Sequence, residues 1–385
     1  SDIIIIGGGI IGSSIAYFLA SSGLAGRVQV IERDSTYTHA ATPRSNGGIR
    51  RLFSLPENIE MAGFGLNFYK NFASQMAVEN EAAEISFRRQ GYLFVSDDGG
   101  AKQMERNYLL QTSMGVEAEA LTAAELSKRF PSIATDDVAF SVLSDHDGWI
   151  DPHAALMGFR HKAIRLGVEY VEGEAVAFSI DKDRVKSVDL KNGMNLRADA
   201  FVNACGAWCS QLAKLVDIHL PVEPMSRESY FLRCSSTLED LPFIKTESDL
   251  AIRPEGQGYV GGIPDWREKP GWNFDVSADY FESVVWPNLA RRLPAMQEIK
   301  LESSWRGHYA RSTLDCSPIL GKSSAGPSNF FMANGFSGHG IMHAPASGRA
   351  LSELILHDSF QTLDLSCFAY QRILDNKPYA EQGIV

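Results

Sequence analysis

The chain is short of the features that mark secreted, fibrous or membrane-spanning proteins. Its 385 residues include five cysteines, at Cys205, Cys209, Cys234, Cys316 and Cys367. An odd, scattered set builds no disulfide framework and fits a reducing compartment. Cys205 and Cys209 stand four apart and can share a helix face, but no third and fourth ligand lies nearby. No metal site is therefore expected, and both read as core thiols. No apolar run approaches the ~20 residues of a membrane span, so no transmembrane contact is expected. No charged segment followed by an apolar stretch opens the chain, so this form is expected to carry no signal peptide. Internal repeats and low-complexity linkers are missing too. Positive charge is scarce: 36 Lys and Arg against 47 Asp and Glu give a formal net charge of −11. That argues against nucleic acid or an anionic membrane as partner, while leaving room for a local basic pocket. The expected location is cytoplasmic, or the mitochondrial matrix in a eukaryote.

What is present is ordinary globular composition, 44% hydrophobic and 22% charged, on a chain long enough for two or three domains. Asp2–Ile6 is a short apolar run bounded by Gly7-Gly8-Gly9. A helical pattern follows through Ile11, Ile15, Phe18 and Leu19 and stops at Gly23, and Arg27–Glu32 returns to strand character. This is one βαβ unit with a G-x-G-x-x-G turn at Gly7, Gly9 and Gly12, around Ile10 and Ile11. Gly7 permits the tight turn, Gly9 lets the backbone approach a pyrophosphate, and Gly12 lets helix pack on strand. Glu32 closes the second strand 20 residues beyond Gly12. It is placed to accept hydrogen bonds from an adenosine ribose and would repel a 2′-phosphate. The pattern indicates a dinucleotide and does not by itself separate NAD from FAD.

Farther along, Leu55–Ser74, Lys102–Met114, Leu121–Arg129, Asp151–Leu166 and Ala278–Leu293 read as helices. Gly91–Val95, Ala198–Asn203, Lys300–Tyr309 and Asn329–Ala333 read as strands. The segment beyond Pro221 is strand-rich. Gly335–Gly340 is a glycine turn before a helix at about Ile341–Leu356. The nucleotide pattern at the start is thus completed only near the end, which implies a discontinuous domain holding an insertion.

Four further blocks carry a resemblance over essentially the whole chain: Ser45-Asn-Gly-Gly-Ile-Arg50, Val202–Trp208, Trp305–Tyr309 with Thr313–Asp315, and Gly335-Phe-Ser-Gly-His-Gly340. With them the sequence resembles the D-amino acid oxidase superfamily of FAD-dependent amine oxidoreductases, which includes sarcosine oxidase, glycine oxidase and dimethylglycine dehydrogenase. Phe53–Ile59, Asp147–Pro152 and Phe360–Ser366 resemble, within it, a mitochondrial branch linked to assembly of respiratory complex I. The implied fold is α/β (α+β in total), a Rossmann-like FAD-binding domain of glutathione-reductase type with an inserted antiparallel-sheet substrate domain. Residues 1–86, 145–220 and 308–385 are expected in the first, and 87–144 and 221–307 in the second. By matching positions, Gly7–Gly12 would surround the pyrophosphate, with Glu32 and Arg33 at the adenosine. Val176, Ala204, Gly206 and Trp208 would form its walls. Ser45, Asn46, Gly47, Gly48 and Gly307 would line the flavin, and Gly338, His339, Gly340, Ile341 and Met342 would approach its pyrimidine edge.

The implied activity is oxidation of the C–N bond of a small amino or imino acid, a secondary amine bearing a carboxylate. The implied step is hydride transfer to flavin N5, followed by hydrolysis of the imine. The acceptor is O2 or an electron-transfer protein or quinone, and a homo-oligomer stays open. The two basic residues that hold the substrate carboxylate in sarcosine oxidase match Phe53 and Met342 here, so both cations are missing. Arg50, Arg51, Arg253, Arg306, His308 and His343 are the replacement candidates. Arg253, Arg306, His339, His343 and Arg50 are taken as the catalytic set. The cysteine that tethers flavin in sarcosine oxidase matches Gly307, so FAD is expected to be noncovalent. The lysine that serves O2 chemistry there has no counterpart in Gly258–Gly262. The alternative function is a flavin-bearing assembly or electron-transfer partner with little turnover of its own.

Overall fold

The computed structural model describes residues 1–383. Ile3–Ile6 is a strand buried at every residue. Ile10–Ser22 is helix, ended by Gly23 in the left-handed region at φ 67°, where glycine carries no Cβ penalty. Val28–Glu32 runs parallel to the first strand. They belong to a six-stranded sheet in the order Ile319–Lys322, Phe330–Asn334, Ala200–Asn203, Ile3–Ile6, Val28–Glu32, Glu169–Glu172. Its neighbours are parallel except for the first pair. Strands covered on both faces need apolar residues at every position. Ile3 and Ile5 accordingly pack with Ile15, Leu19 and Leu351, and Ile4 and Ile6 with Val188 and Leu212 on the other side.

The second sheet has eight strands, in the order Ile299–Ser312, Val222–Cys234, Gly258–Gly262, Ala251–Glu255, Phe243–Thr246, Tyr92–Ser96, Phe140–Ser144, Glu119–Leu121. Phe243–Thr246 and Tyr92–Ser96 are parallel within an otherwise antiparallel array. Strand alternation gives it two unlike faces. Tyr230, Leu232, Ile244 and Ile252 pack against Phe281, Val285 and Leu289, while the residues between them face the first sheet. The strand Ile299–Ser312 crosses the boundary expected at 307/308 and physically joins the two units.

The mixed α/β architecture agrees with the expected fold class, and two helices differ in detail. The helix expected over Leu55–Ser74 divides at Asn71 into Pro56–Lys70 and Phe72–Gln75. The one expected over Ala278–Leu293 widens into a π turn at Phe281–Val285 before Trp286–Arg292. Pro287 lacks the N–H that a regular turn would use there, and the wider turn relieves its ring. Among the described residues, no helix is long and apolar enough to cross a membrane.

The last long helix, Gly340–His357, contains Pro345, which deprives the Ile341 carbonyl of its usual donor. The Tyr69 hydroxyl supplies that bond at 2.6 Å. Ser14 donates to the Ala344 carbonyl at 2.8 Å. These two side chains from neighbouring helices fix the first turn of the helix where it meets the cavity.

Candidate functional site

One cavity of about 1440 Å³ lies between the two sheets. Typical small-molecule pockets are ~300–1,000 Å³, so this space suits an extended dinucleotide together with a small substrate. Its first end is made of backbone. Gly7 has φ 102°, and a Cβ there would sit 2.4 Å from the Ala204 carbonyl oxygen. A Cβ on Gly12 would sit 1.9 Å from the Gly7 carbonyl oxygen. Gly9 differs: the nearest atom to its absent Cβ is Thr42 Oγ1, 4.0 Å away, so its open side faces the cavity. Glu32 accepts from Gly8 N at 2.8 Å and Asp34 N at 2.9 Å. Burial pushes its carboxyl above the usual range, opposed by those N–H groups. Close by, the Tyr37 hydroxyl is buried in the cavity wall with no partner. A buried orphan of this kind fits a polar ligand. Arg33 lies 3.8 Å over the Trp208 ring, and Trp208 stacks on Trp272 at 4.2 Å.

Two helix starts open on this space, at Ile10 and Gly340. Neither is capped by its own N-cap residue or carries an acid in its first turn, and Ile10 N makes only a long 3.4 Å bond to Thr42 Oγ1. Elsewhere Asp97, Thr122 and Asp151 cap their helices, and Glu381 accepts from Ser54 N and Leu55 N at another. Uncapped N–H groups and the positive helix end suit phosphate and an electron-rich ring. The cradle therefore fits FAD. Gly7, Gly9, Ile10, Ile11, Glu32 and Arg33 line the cavity, as do Ser45, Asn46, Gly47 and Gly48. Val176, Ala204, Gly206, Trp208 and Gly307 line it too, with Gly338, His339, Gly340, Ile341 and Met342. Gly12 lies beneath, as a packing residue.

The other end is made of side chains, and the structure brings different ones there from those the motifs pointed to. Arg50 lines the cavity, 1% exposed, with its guanidinium 4.1 Å over Phe53 and bonded to the Leu52 carbonyl. Arg253 does not reach it. Its guanidinium donates to the Asn46 carbonyl at 2.7 Å and the Pro254 carbonyl at 2.9 Å, and pairs with Glu255. Arg306 points to the opposite face of the sheet, between Glu228 and Glu268. The reason is register: Arg306 faces Glu228 across the strands, while Gly307 faces Arg227. A one-residue step selects which pair sees the cavity. His343 is buried behind Phe53, 5.0 Å away, and burial pushes it down to about 3.

Arg227 and Lys245 are the cations the structure adds, both lining the cavity. Neither forms a salt bridge within 4.0 Å among the described residues. Burial, reinforced by Arg50 and Arg227, pushes the Lys245 ammonium well below its ordinary range. Burial and the same charges, with His343, keep His339 well below its own, so His339 is a neutral neighbour. A signal existed in the sequence. In Phe243-Ile-Lys-Thr246, Ile244 faces the core and Lys245 shares the face of Phe243; Arg227 and Ser229 likewise alternate with Glu228 and Tyr230. Gly258–Gly262 brings no lysine to the cavity, and the stretch Phe243–Thr246 brings Lys245.

Residues 2–354 match the family model described as DAO, FAD dependent oxidoreductase. The chain belongs to this family. It is an FAD-dependent oxidoreductase of a family acting on amino acids or amines. The chain is 37% identical over 424 residues to FAD-dependent oxidoreductase domain-containing protein 1 of Xenopus laevis, covering 100% of this chain and 85% of that protein. Mouse mitochondrial sarcosine dehydrogenase is 23% identical, over 93% of this chain and 40% of its own. Among solved structures, L-proline dehydrogenase from P. horikoshii superposes with TM-score 0.89 at 26% identity, over 98% of this chain and 99% of that one.

Proposed function

We propose that this family member oxidises the C–N bond of a small amino or imino acid, a secondary amine bearing a carboxylate. The observation that carries the reading is continuity: one cavity joins a dinucleotide cradle to a wall bearing Arg50, Arg227 and Lys245. When bound, FAD supplies the two-electron acceptor, taking a hydride from the carbon beside the nitrogen. The chain's own residues bind and orient. Arg227 and Lys245 hold carboxylate through charge-assisted bonds. The stacked rings of Tyr92 and Phe243, 4.4 Å apart, keep that wall dry and so strengthen its charges. The open N–H groups at the start of Gly340–His357 favour negative charge at the flavin edge. The neutral amine reacts, so no side chain need serve as base. The imine then takes up water to give a carbonyl compound and the shortened amine. FAD is held noncovalently, with Gly307 offering no side chain for a tether.

The test is anaerobic mixing of the purified holoprotein with a panel of secondary and primary amino acids. Loss of the visible flavin band with one of them supports the reading and names the substrate class. If none reduces the flavin while dithionite does, the protein is instead a flavin-bearing assembly or electron-transfer partner. Readmitting air then sorts the acceptor: fast recovery of the band indicates O2, and slow recovery indicates a protein or quinone. Acid precipitation should leave the flavin in solution; flavin in the pellet overturns the noncovalent assignment.

A further inference from the structure

We propose that the substrate is a dicarboxylate amine, with Arg227 and Lys245 each holding one of its two carboxylates. This rests on the amine-oxidation reading above and narrows it. The two cations stand on different strands of one wall, with Gly258–Gly262 and Ala251–Glu255 between them in the sheet. Three strand spacings of ~4.8 Å, with an offset of two residues along the strands, put their backbones roughly 16 Å apart. Both side chains line the one cavity, so a short chain with an acid at each end can lie between them.

Neither cation is satisfied by its own neighbours. Arg227 lies opposite Gly307, which offers no side chain. Lys245 lies between Ala251 and Phe94 in the ladder, neither of which accepts a hydrogen bond from a side chain. The carboxylate nearest to Lys245 in electrostatic terms is Asp249, and it accepts the Trp266 indole N–H at 2.7 Å. Arg50 differs, since it is stacked on Phe53, bonded to the Leu52 carbonyl, and faced by Asp147 and Glu381 as counter-charges. A ligand with a single carboxylate would pair with one of Arg227 and Lys245 and leave the other without an anionic partner in the cavity wall. A second carboxylate supplies that partner. The depressed basicity of Lys245 fits a group whose partner arrives with the ligand.

The experiment uses two unreactive ethers and equilibrium titration of the flavin absorbance in the holoprotein. Diglycolate carries two carboxylates, and methoxyacetate is its one-carboxylate counterpart. Diglycolate is expected to bind at least about tenfold more tightly, the scale of one charge-assisted contact. In Lys245→Met and in Arg227→Met, diglycolate should fall to within about threefold of methoxyacetate. Equal affinities in the native protein, or a preference surviving in both variants, overturns the proposal. Should a methionine variant lose its flavin, Lys245→Gln and Arg227→Gln carry the same comparison by the same criteria. A diglycolate preference that depends on both residues, with no amine reducing the flavin, sinks the oxidation reading and leaves this site standing. Amines that reduce the flavin without any such preference do the reverse.

Discussion

The two ends of the cavity are built by opposite means. At the nucleotide end, recognition is backbone work: Gly7, Gly9 and the start of Ile10–Ser22 stand within a few residues of one another, and side chains are withheld so that a ligand can approach. At the end proposed to hold substrate the lining is side-chain work, with Arg50, Arg227 and Lys245 brought from three distant stretches to the cavity. The first kind of site tolerates almost no added atom. The second kind tolerates substitution of the fold but not of the charge. This difference sets the order of effects expected from mutation.

The largest effect should come from Gly12→Val, whose first added carbon would already meet the Gly7 carbonyl oxygen at 1.9 Å. Flavin-to-protein ratio after purification should drop to near zero; a normal ratio would show that the cradle can yield. Next comes the response to acid, in which two buried groups beside Arg50 pull in opposite directions. His343, on the closing helix, is depressed from 6.5 to about 3. Its stabilisation is complete above 6.5 and is lost as pH falls toward 3. At ~1.4 kcal/mol per pKa unit this is at most ~5 kcal/mol. Asp147, which accepts the Arg51 N–H at 3.0 Å, is raised by burial from 3.8 to about 6. A raised acid has the reverse sign: stability is present below 3.8 and lost as pH rises through about 6. Urea midpoints against pH should therefore flatten in His343→Leu and steepen in Asp147→Asn.

Smaller, and confined to the substrate end, is Lys245→Met. Losing one charge-assisted contact of ~1.5–3 kcal/mol should raise KM by about 10–100-fold with kcat little changed and flavin content normal. A loss in kcat alone would move Lys245 from binding to the chemical step. The smallest kinetic effect is expected from Arg253→Met. Because its guanidinium serves Asn46, Pro254 and Glu255, KM should stay within about twofold while stability falls by ~1–3 kcal/mol for the Asn46 carbonyl left unpaired. A large rise in KM would return Arg253 to the substrate site.

How much was legible beforehand follows the same division. The glycine turn could be read because its physics is local, glycines at fixed spacing and an acid at the next strand end; Gly7, Gly9 and Glu32 line the cavity and Gly12 packs beneath it. The glycine–histidine turn at Gly335–Gly340 was legible for the same reason. Arg306 faces away because of cross-strand register, which no local pattern states; Arg253 is held back by its bonds to Asn46, Pro254 and Glu255, which no local pattern states either. Lys245 was hidden in a short apolar stretch whose two faces are buried against different partners. The π turn before Pro287 was missed because hydrophobic spacing alone does not report how a helix accommodates a proline.

The pairing of Val222–Cys234 with Ile299–Ser312 has a consequence for how this protein can change over generations. Arg227 and Ser229 look into the cavity, and Glu228 and Tyr230 look away. Deleting one residue ahead of Arg227 would exchange the two sets without altering the composition of the strand. The wall would exchange the Arg227 cation for the Glu228 carboxylate beside an unchanged Lys245 and Arg50, and Arg306 would lose its Glu228 partner. A single indel could thus reset the charge that this strand presents to the cavity, with no charged residue replaced.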